Sequence, residues 1–217
     1  MMTLARILPA ACLALIAFAT PASAADAAEA EAFVEENAQA VIDVLEEFHQ
    51  GDRSLAAVKQ DFRGRVDELA DVDRISNFVL GRWRRMADEA DLREFRETFR
   101  EFAIGVYETE LTNYAGQTLE VTGSVTRGPG DYIVRSEVSG GPAGETYDVN
   151  WRVLENTDGE LRVVDVQVQD IWLAQTQREQ ITSIIGNNRG DVSAATEQLR
   201  RRIAERDGSE SAYASAE

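Results

Sequence analysis

Between Gly116 and Val168 the apolar residues stop recurring at helical spacing and alternate instead, in segments cut apart by turn chemistry. The segments are Thr118–Thr126, Tyr132–Ser139, Thr146–Leu154 and Leu161–Val168. Their separators are Gly128-Pro129-Gly130, Gly140-Gly141-Pro142 and Asn156-Thr157-Asp158-Gly159. Connections this short join neighbouring antiparallel strands and are too short for a parallel crossover, so the spacing predicts a four-stranded meander. Tyr147, Val149, Trp151 and Val153 alternate with Asp148, Asn150 and Arg152, which gives the sheet one apolar and one wetter face. The apolar face has to be covered by a second layer.

Helices on both sides of the meander can supply that layer. Val34, Ala38, Val41, Leu45 and Phe48 repeat at intervals of three and four and stop near Gly51. Ser54 can cap a second helix bearing Leu55, Val58, Phe62, Val66 and Leu69, and Asp71 or Asp73 a third through Ile75, Phe78 and Val79 to Gly81. Asp91 and Glu94 have capping-box spacing and open a long helix expected from Leu92 to Tyr114, with Phe95, Phe99, Phe102, Val106, Tyr107 and Leu111 along it. After the last strand the pattern returns to helix from Ile171 to Ile185, breaks at Gly186-Asn187-Asn188-Arg189-Gly190 and resumes behind the cap Asp191 with Val192, Ala195, Leu199 and Ile203. No internal repeat or interior linker divides the chain. The expected fold class is α+β, with several N-terminal helices packed on a curved antiparallel four-stranded sheet and C-terminal helices beyond it.

The first residues read as an export signal. Arg6 supplies the charged start, Ile7 to Thr20 the apolar run, and Ala22-Ser23-Ala24 an A-x-A exit. A retained anchor is disfavoured because the run is short for a bilayer span and contains Pro9. Residues 1–24 are therefore expected to be a cleaved signal peptide, 25–206 a single domain, and 207–217, small and polar, a disordered tail. The sole cysteine, Cys12, lies inside the apolar run, without the small-residue box of a lipid anchor, so the exported domain has neither disulfides nor thiol chemistry. With 39 acidic residues against 22 basic, the chain has a net charge of −17, which becomes −18 once Arg6 is cleaved off, so nucleic acid and anionic membrane surfaces repel the exported domain at long range.

Catalytic and metal motifs are sparse. His49 is the only histidine, which rules out a multi-histidine metal site or a triad with a second histidine within one chain. The pairs Asp71/Asp73 and Asp88/Asp91 lack the ligand count and central glycine of a calcium loop and read as caps. Asp165 interrupts an apolar strand. Such a carboxylate could be a general base with a raised pKa, but alternation puts it with Gln167 opposite Val164, Val166 and Val168, where a hydrogen-bonded or arginine-paired structural role is expected.

Two stretches carry a resemblance: Phe78-Val79-Leu80-Gly81-Arg82-Trp83-Arg84, followed by Phe95, Phe99, Tyr107 and Tyr114-Ala115-Gly116, and Val164-Asp165-Val166-Gln167-Val168 leading to Ile171, Leu173, Gln175, Arg178 and Ile184-Ile185. In order and spacing the chain resembles the MlaC, or toluene-tolerance auxiliary, family of periplasmic phospholipid-binding proteins. One corner departs from it: the family pattern has glycine then serine where this chain has Asp170 and Trp172. The resemblance implies a nuclear-transport-factor-like fold enclosing an apolar pocket, with acyl chains inside and headgroup at the surface. It implies a non-enzymatic periplasmic carrier, monomeric and without cofactor, that shuttles phospholipid between an outer-membrane lipoprotein–porin complex and an inner-membrane ABC transporter complex.

Periodicity alone reads the apolar stripes as ordinary core. The resemblance turns the set into expected pocket lining: Tyr132, Val134, Tyr147, Val149, Trp151, Val164, Val166 and Val168 from the sheet, and Phe78, Trp83, Phe99, Phe102 and Tyr107 from the helices. Phe62 and Phe95 are expected only to pack. Two other readings stay open on the residues themselves: an exported pocket enzyme using Asp165, and an envelope scaffold module with a solid core.

Overall fold

Short acidic and hydroxyl side chains set the helix starts in the computed structural model, which describes residues 26–108, 111, 114, 116–140 and 144–214, with side chains as far as 209. The expected signal peptide and part of the turn at 141–143 lie outside these residues. Helix α1 (Ala27–His49) opens on a reciprocal capping box between Asp26 and Glu29. Ser54 caps α2 (Leu55–Leu69) and Asp71 caps α3 (Val72–Leu80), each accepting the backbone N–H three residues on. Helix α3 ends at Gly81, whose φ of 58° suits glycine, and a 3-10 turn (Gly81–Arg85) follows.

Helix α4 (Glu89–Glu108) starts earlier than its sequence predicts. Asp88, not Asp91, takes the cap role, accepting the Asp91 N–H at 2.9 Å, and most of the expected continuation beyond Glu108 to Tyr114 lies outside the described residues. Both aspartates can cap, and using the earlier one adds a turn of helix.

The sheet runs β1 (Thr118–Gly128), β2 (Asp131–Ser139), β3 (Tyr147–Glu155), β4 (Leu161–Val168) and β5 (Ile171–Trp172), each strand antiparallel to the one before it, in the order β1-β2-β3-β4-β5. The fifth, two-residue strand replaces what its sequence reads as the first turn of helix. Gln169 and Asp170, both at positive φ (48° and 66°), form a tight reversal that pairs Val168 with Ile171. Asp170 occupies the position where the family pattern has glycine, and its left-handed backbone explains why glycine suits that site.

Helix α5 (Leu173–Asn187) then lies beside β4, and α6 (Ser193–Ala214) begins behind Asp191, whose Oδ1 accepts both the N–H and the hydroxyl of Ser193. Helix α6 runs to Ala214, past Asp207, where small polar composition predicts disorder. Once a helix is nucleated each further residue adds a bond, which carries α6 past Gly208.

The apolar residues gather in three clusters. Helices α3, α4, α5 and α6 bury Leu80, Phe95, Ile181, Ile185 and Leu199 among themselves. Helix α1 and the sheet bury Ala30, Val34, Tyr132, Val134, Val153 and Val163. Leu45, Val58, Leu111 and Tyr114 form the third, between α1, α2 and the end of α4.

Candidate functional site

Where the three clusters face one another the interior is hollow. A cavity of about 630 Å³ is walled by the concave sheet face (Leu119, Val138, Tyr147, Val149, Trp151, Val164, Val166 and Val168), by Val41 and Ile42 of α1, Phe62, Val66 and Leu69 of α2, Phe99, Ala103, Ile104 and Tyr107 of α4, and Leu173, Ala174 and Gln177 of α5. Its size falls in the range of small-molecule sites. Strand register places Thr118, Val138, Tyr147 and Val168 at one end of the sheet, and there the wall opens: Thr118 is exposed, Leu119 and Tyr147 half-buried, and Tyr107 42 % exposed. Toward the other end Val34, Val163, Phe99 and Ile104 are buried.

The wall is kept apolar by turning polar groups away from it. The Trp151 indole N–H donates to Ser136 Oγ at 2.9 Å, and Ser136 in turn donates to the Val149 carbonyl at 2.9 Å, so a large ring joins the wall with its one polar atom satisfied inside the sheet. Asn37 donates to the Phe33 carbonyl, and Arg100 is committed to Asp67 and Glu101.

Of the residues expected to line a pocket, Phe99, Tyr107, Tyr147, Val149, Trp151, Val164, Val166 and Val168 do border the cavity. Five do not. Tyr132 and Val134 share the concave face but lie under α1, in the cluster around Ala30 and Val34. Phe102 is in the helical cluster, with the Arg202 guanidinium over its ring. Trp83 packs against that cluster, close enough to Gly190 that a Cβ there would lie 2.9 Å from the indole. Phe78 sits at the surface beneath the Arg178 guanidinium. Phe95 packs as expected, stacked on Phe99, whereas Phe62 is cavity wall and not mere packing. The contribution of α1 and α2 escaped sequence reasoning because an apolar helical stripe looks the same over a core and over a hollow. Trp172, at the corner that departs from the family pattern, is not part of the wall.

Asp165 follows a bulge in β4. Val153 pairs with Val163 and Arg152 with Asp165, so Val164 is an extra residue; beyond it Asp165 and Gln167 lie opposite Arg152 and Asn150, on the face away from Val166 and Val168 as alternation predicts, while Asp165 also borders the cavity where α5 begins. Its Oδ1 accepts the Val166 N–H at 2.9 Å and the Ala174 N–H at 2.8 Å. Helix α5 has no side-chain cap of its own at Trp172, so Asp165 caps it from the neighbouring strand. Burial raises the Asp165 carboxyl above its ordinary value, against the opposing pull of the Ala174, Val166 and Gln175 backbone N–H groups and of Arg152. Arg152 itself is paired with Asp131 at 3.1 Å. Burial, with the Asp165 charge nearby, pushes the Tyr107 phenol up to about 12. An acid–base enzyme would need Asp165 to meet substrate, yet one oxygen of this carboxylate is already engaged as a cap. Among the described residues no three metal-ligating side chains converge.

The family model described as MlaC protein matches residues 35–201, which takes in the cavity wall from Asn37 of α1 to Gln177 of α5. The chain belongs to the MlaC family. This MlaC family member also shares its fold with the phospholipid-binding protein from Ralstonia solanacearum, solved in complex with a phospholipid: TM-score 0.72, 24% identity, covering 84% of this chain and 99% of that one. No curated protein matches it significantly. No helix among the described residues is long and apolar enough to cross a membrane.

Proposed function

We propose that this protein is a periplasmic phospholipid carrier that holds acyl chains in the cavity between sheet and helices and shuttles them between an outer-membrane lipoprotein–porin complex and an inner-membrane ABC transporter complex. The observation that carries the reading is the cavity itself, a hollow of about 630 Å³ whose wall is mostly hydrocarbon. Family membership supports the transport role, and the leader-like segment at residues 1–24 supports the compartment. A diacyl lipid offers some thirty methylenes at about 0.8 kcal/mol each, so leaving a bilayer for open water costs on the order of 20 kcal/mol. Burial in a cavity offsets that cost much as the bilayer does, which lets cargo pass either way according to the docked partner.

Native mass spectrometry of the exported protein from cells, followed by lipid extraction, tests the reading. Co-purifying phospholipid is the expected result; a protein that is empty as isolated and takes up none from vesicles overturns it. Val149→Glu and Val166→Glu put a carboxylate into the wall, and each is expected to abolish lipid retention and lower stability by several kcal/mol.

A further inference from the structure

With 39 acidic residues against 22 basic, carboxylates are plentiful on this protein, and Arg53, Arg63, Arg100, Arg152, Arg162 and Arg200 are all ion-paired. One face keeps its arginines free of them. Among the described residues no ion pair engages Arg82, Arg84 or Arg85 of the 3-10 turn, Arg178 of α5, or Arg189 in the loop before α6. Contacts gather these residues together. Arg178 donates to the Phe78 carbonyl at 2.8 Å, lies 4.8 Å over the Phe78 ring and borders Gly81. Arg82 lies 4.5 Å over Trp83, whose indole packs on Gly190, the residue after Arg189. Phe78 and Met86, at the two ends of this surface, are both exposed. Carboxylates next to it in the chain are bonded elsewhere: Glu179 accepts from Gln175, Asp88 from the Asp91 N–H and Asp191 from Ser193.

We propose that this face docks the protein onto an anionic phospholipid bilayer. A headgroup layer offers phosphates, which the forked guanidinium of arginine fits bidentately, and hydrocarbon just beneath them for Phe78 and Met86. An acidic protein surface meets the charges and leaves the interleaved hydrocarbon without a match. The net negative charge of the domain repels a membrane at long range, but salt screens that repulsion beyond about 8 Å at physiological ionic strength, and closer in the nearest charges decide. The domain therefore meets the bilayer in one orientation, arginine face first. This orientation does not depend on what fills the cavity, so the assignment stands apart from the carrier reading.

The experiment floats phosphatidylcholine vesicles, with and without phosphatidylglycerol, together with the exported protein at low ionic strength. Binding is expected only to the vesicles that contain phosphatidylglycerol, and it is expected to fall as salt is added. Arg84→Ala combined with Arg85→Ala is expected to weaken binding about thirtyfold, roughly fivefold for each arginine at the surface. Arg127→Ala combined with Arg135→Ala removes the same charge from exposed positions on β1 and β2 and is expected to bind as the parent does. Equal weakening by the two pairs overturns the assignment, because net charge then acts without a patch. A parent that stays off the phosphatidylglycerol vesicles overturns it too, and leaves the face to an acidic protein partner. Native mass spectrometry of the unbound protein reads cargo separately: protein that takes up lipid without floating loses the docking face and keeps the carrier reading, and protein that floats but stays empty loses the carrier reading alone.

Discussion

At Asp165 one carboxylate oxygen accepts two backbone N–H groups, one on its own strand and one at the start of α5, so a single side chain sets the angle at which that helix leaves the sheet. Because both bonds end on Oδ1, an asparagine can keep them and an alanine cannot. Asp165→Ala is expected to lower stability by about 1 kcal/mol, as for loss of a cap, and Asp165→Asn by less than half as much, measured by urea unfolding. Burial raises the folded pKa above the ordinary 3.8, so as pH climbs the unfolded chain gives up this proton first. Over that interval the native state binds the extra proton, and stability falls as pH rises through the raised value. The Asn variant should lack that fall. A parent protein whose unfolding midpoint climbs no less steeply than the Asn variant's over this interval would show the sign to be wrong. The carboxylate was legible in the sequence as a hydrogen-bonded interruption of an apolar strand; its place beside the cavity was not, because spacing does not show that α5 starts against this strand.

At the scale of elements, α2 is the part of the wall most weakly rooted in apolar packing. Val58 is its only buried residue, while Phe62, Val66 and Leu69 face the cavity. What holds the helix from outside is charge: Arg63 reaches Glu108 at 2.5 Å and 3.0 Å and Glu101 at 2.8 Å, and Arg100 pairs with Asp67. Glu108 is 5 % exposed, so removing its partner strands a buried carboxylate. Arg63 is itself a third exposed, and solvent screens part of the loss. Arg63→Ala is expected to lower stability by about 2 kcal/mol and to speed lipid transfer to acceptor vesicles, and adding Glu108→Leu should return most of the stability. Transfer at the parent rate in Arg63→Ala would show that α2 does not gate the cavity. The helix itself was legible from Ser54 and the stripe behind it, and the four long strands from their turns. The short β5 was not, since Gln169-Asp170 lacks the glycine or asparagine that marks a two-residue hairpin.

For the molecule as a whole, periodicity shows which residues turn inward but not whether the inside is full. Alternation cannot separate Val134, packed under α1, from Val149, on the cavity wall, because both point to the same face of the sheet. The resemblance to a lipid-binding family supplied the hollow that spacing alone could not. Protein interiors otherwise pack as densely as organic crystals, so side chains around a hollow of about 630 Å³ gain from a ligand contacts that they cannot make with one another. A lipid that binds the native state and not the unfolded chain stabilises by about 2.7 kcal/mol at a hundredfold excess over its Kd. In a domain of this length that corresponds to a rise in Tm of about 5–10 °C. Delipidated protein titrated with phospholipid vesicles in a calorimeter should therefore melt progressively higher as lipid is added, and Val149→Glu should not respond. A Tm that stays fixed across the titration would mean that the native state closes its cavity without cargo.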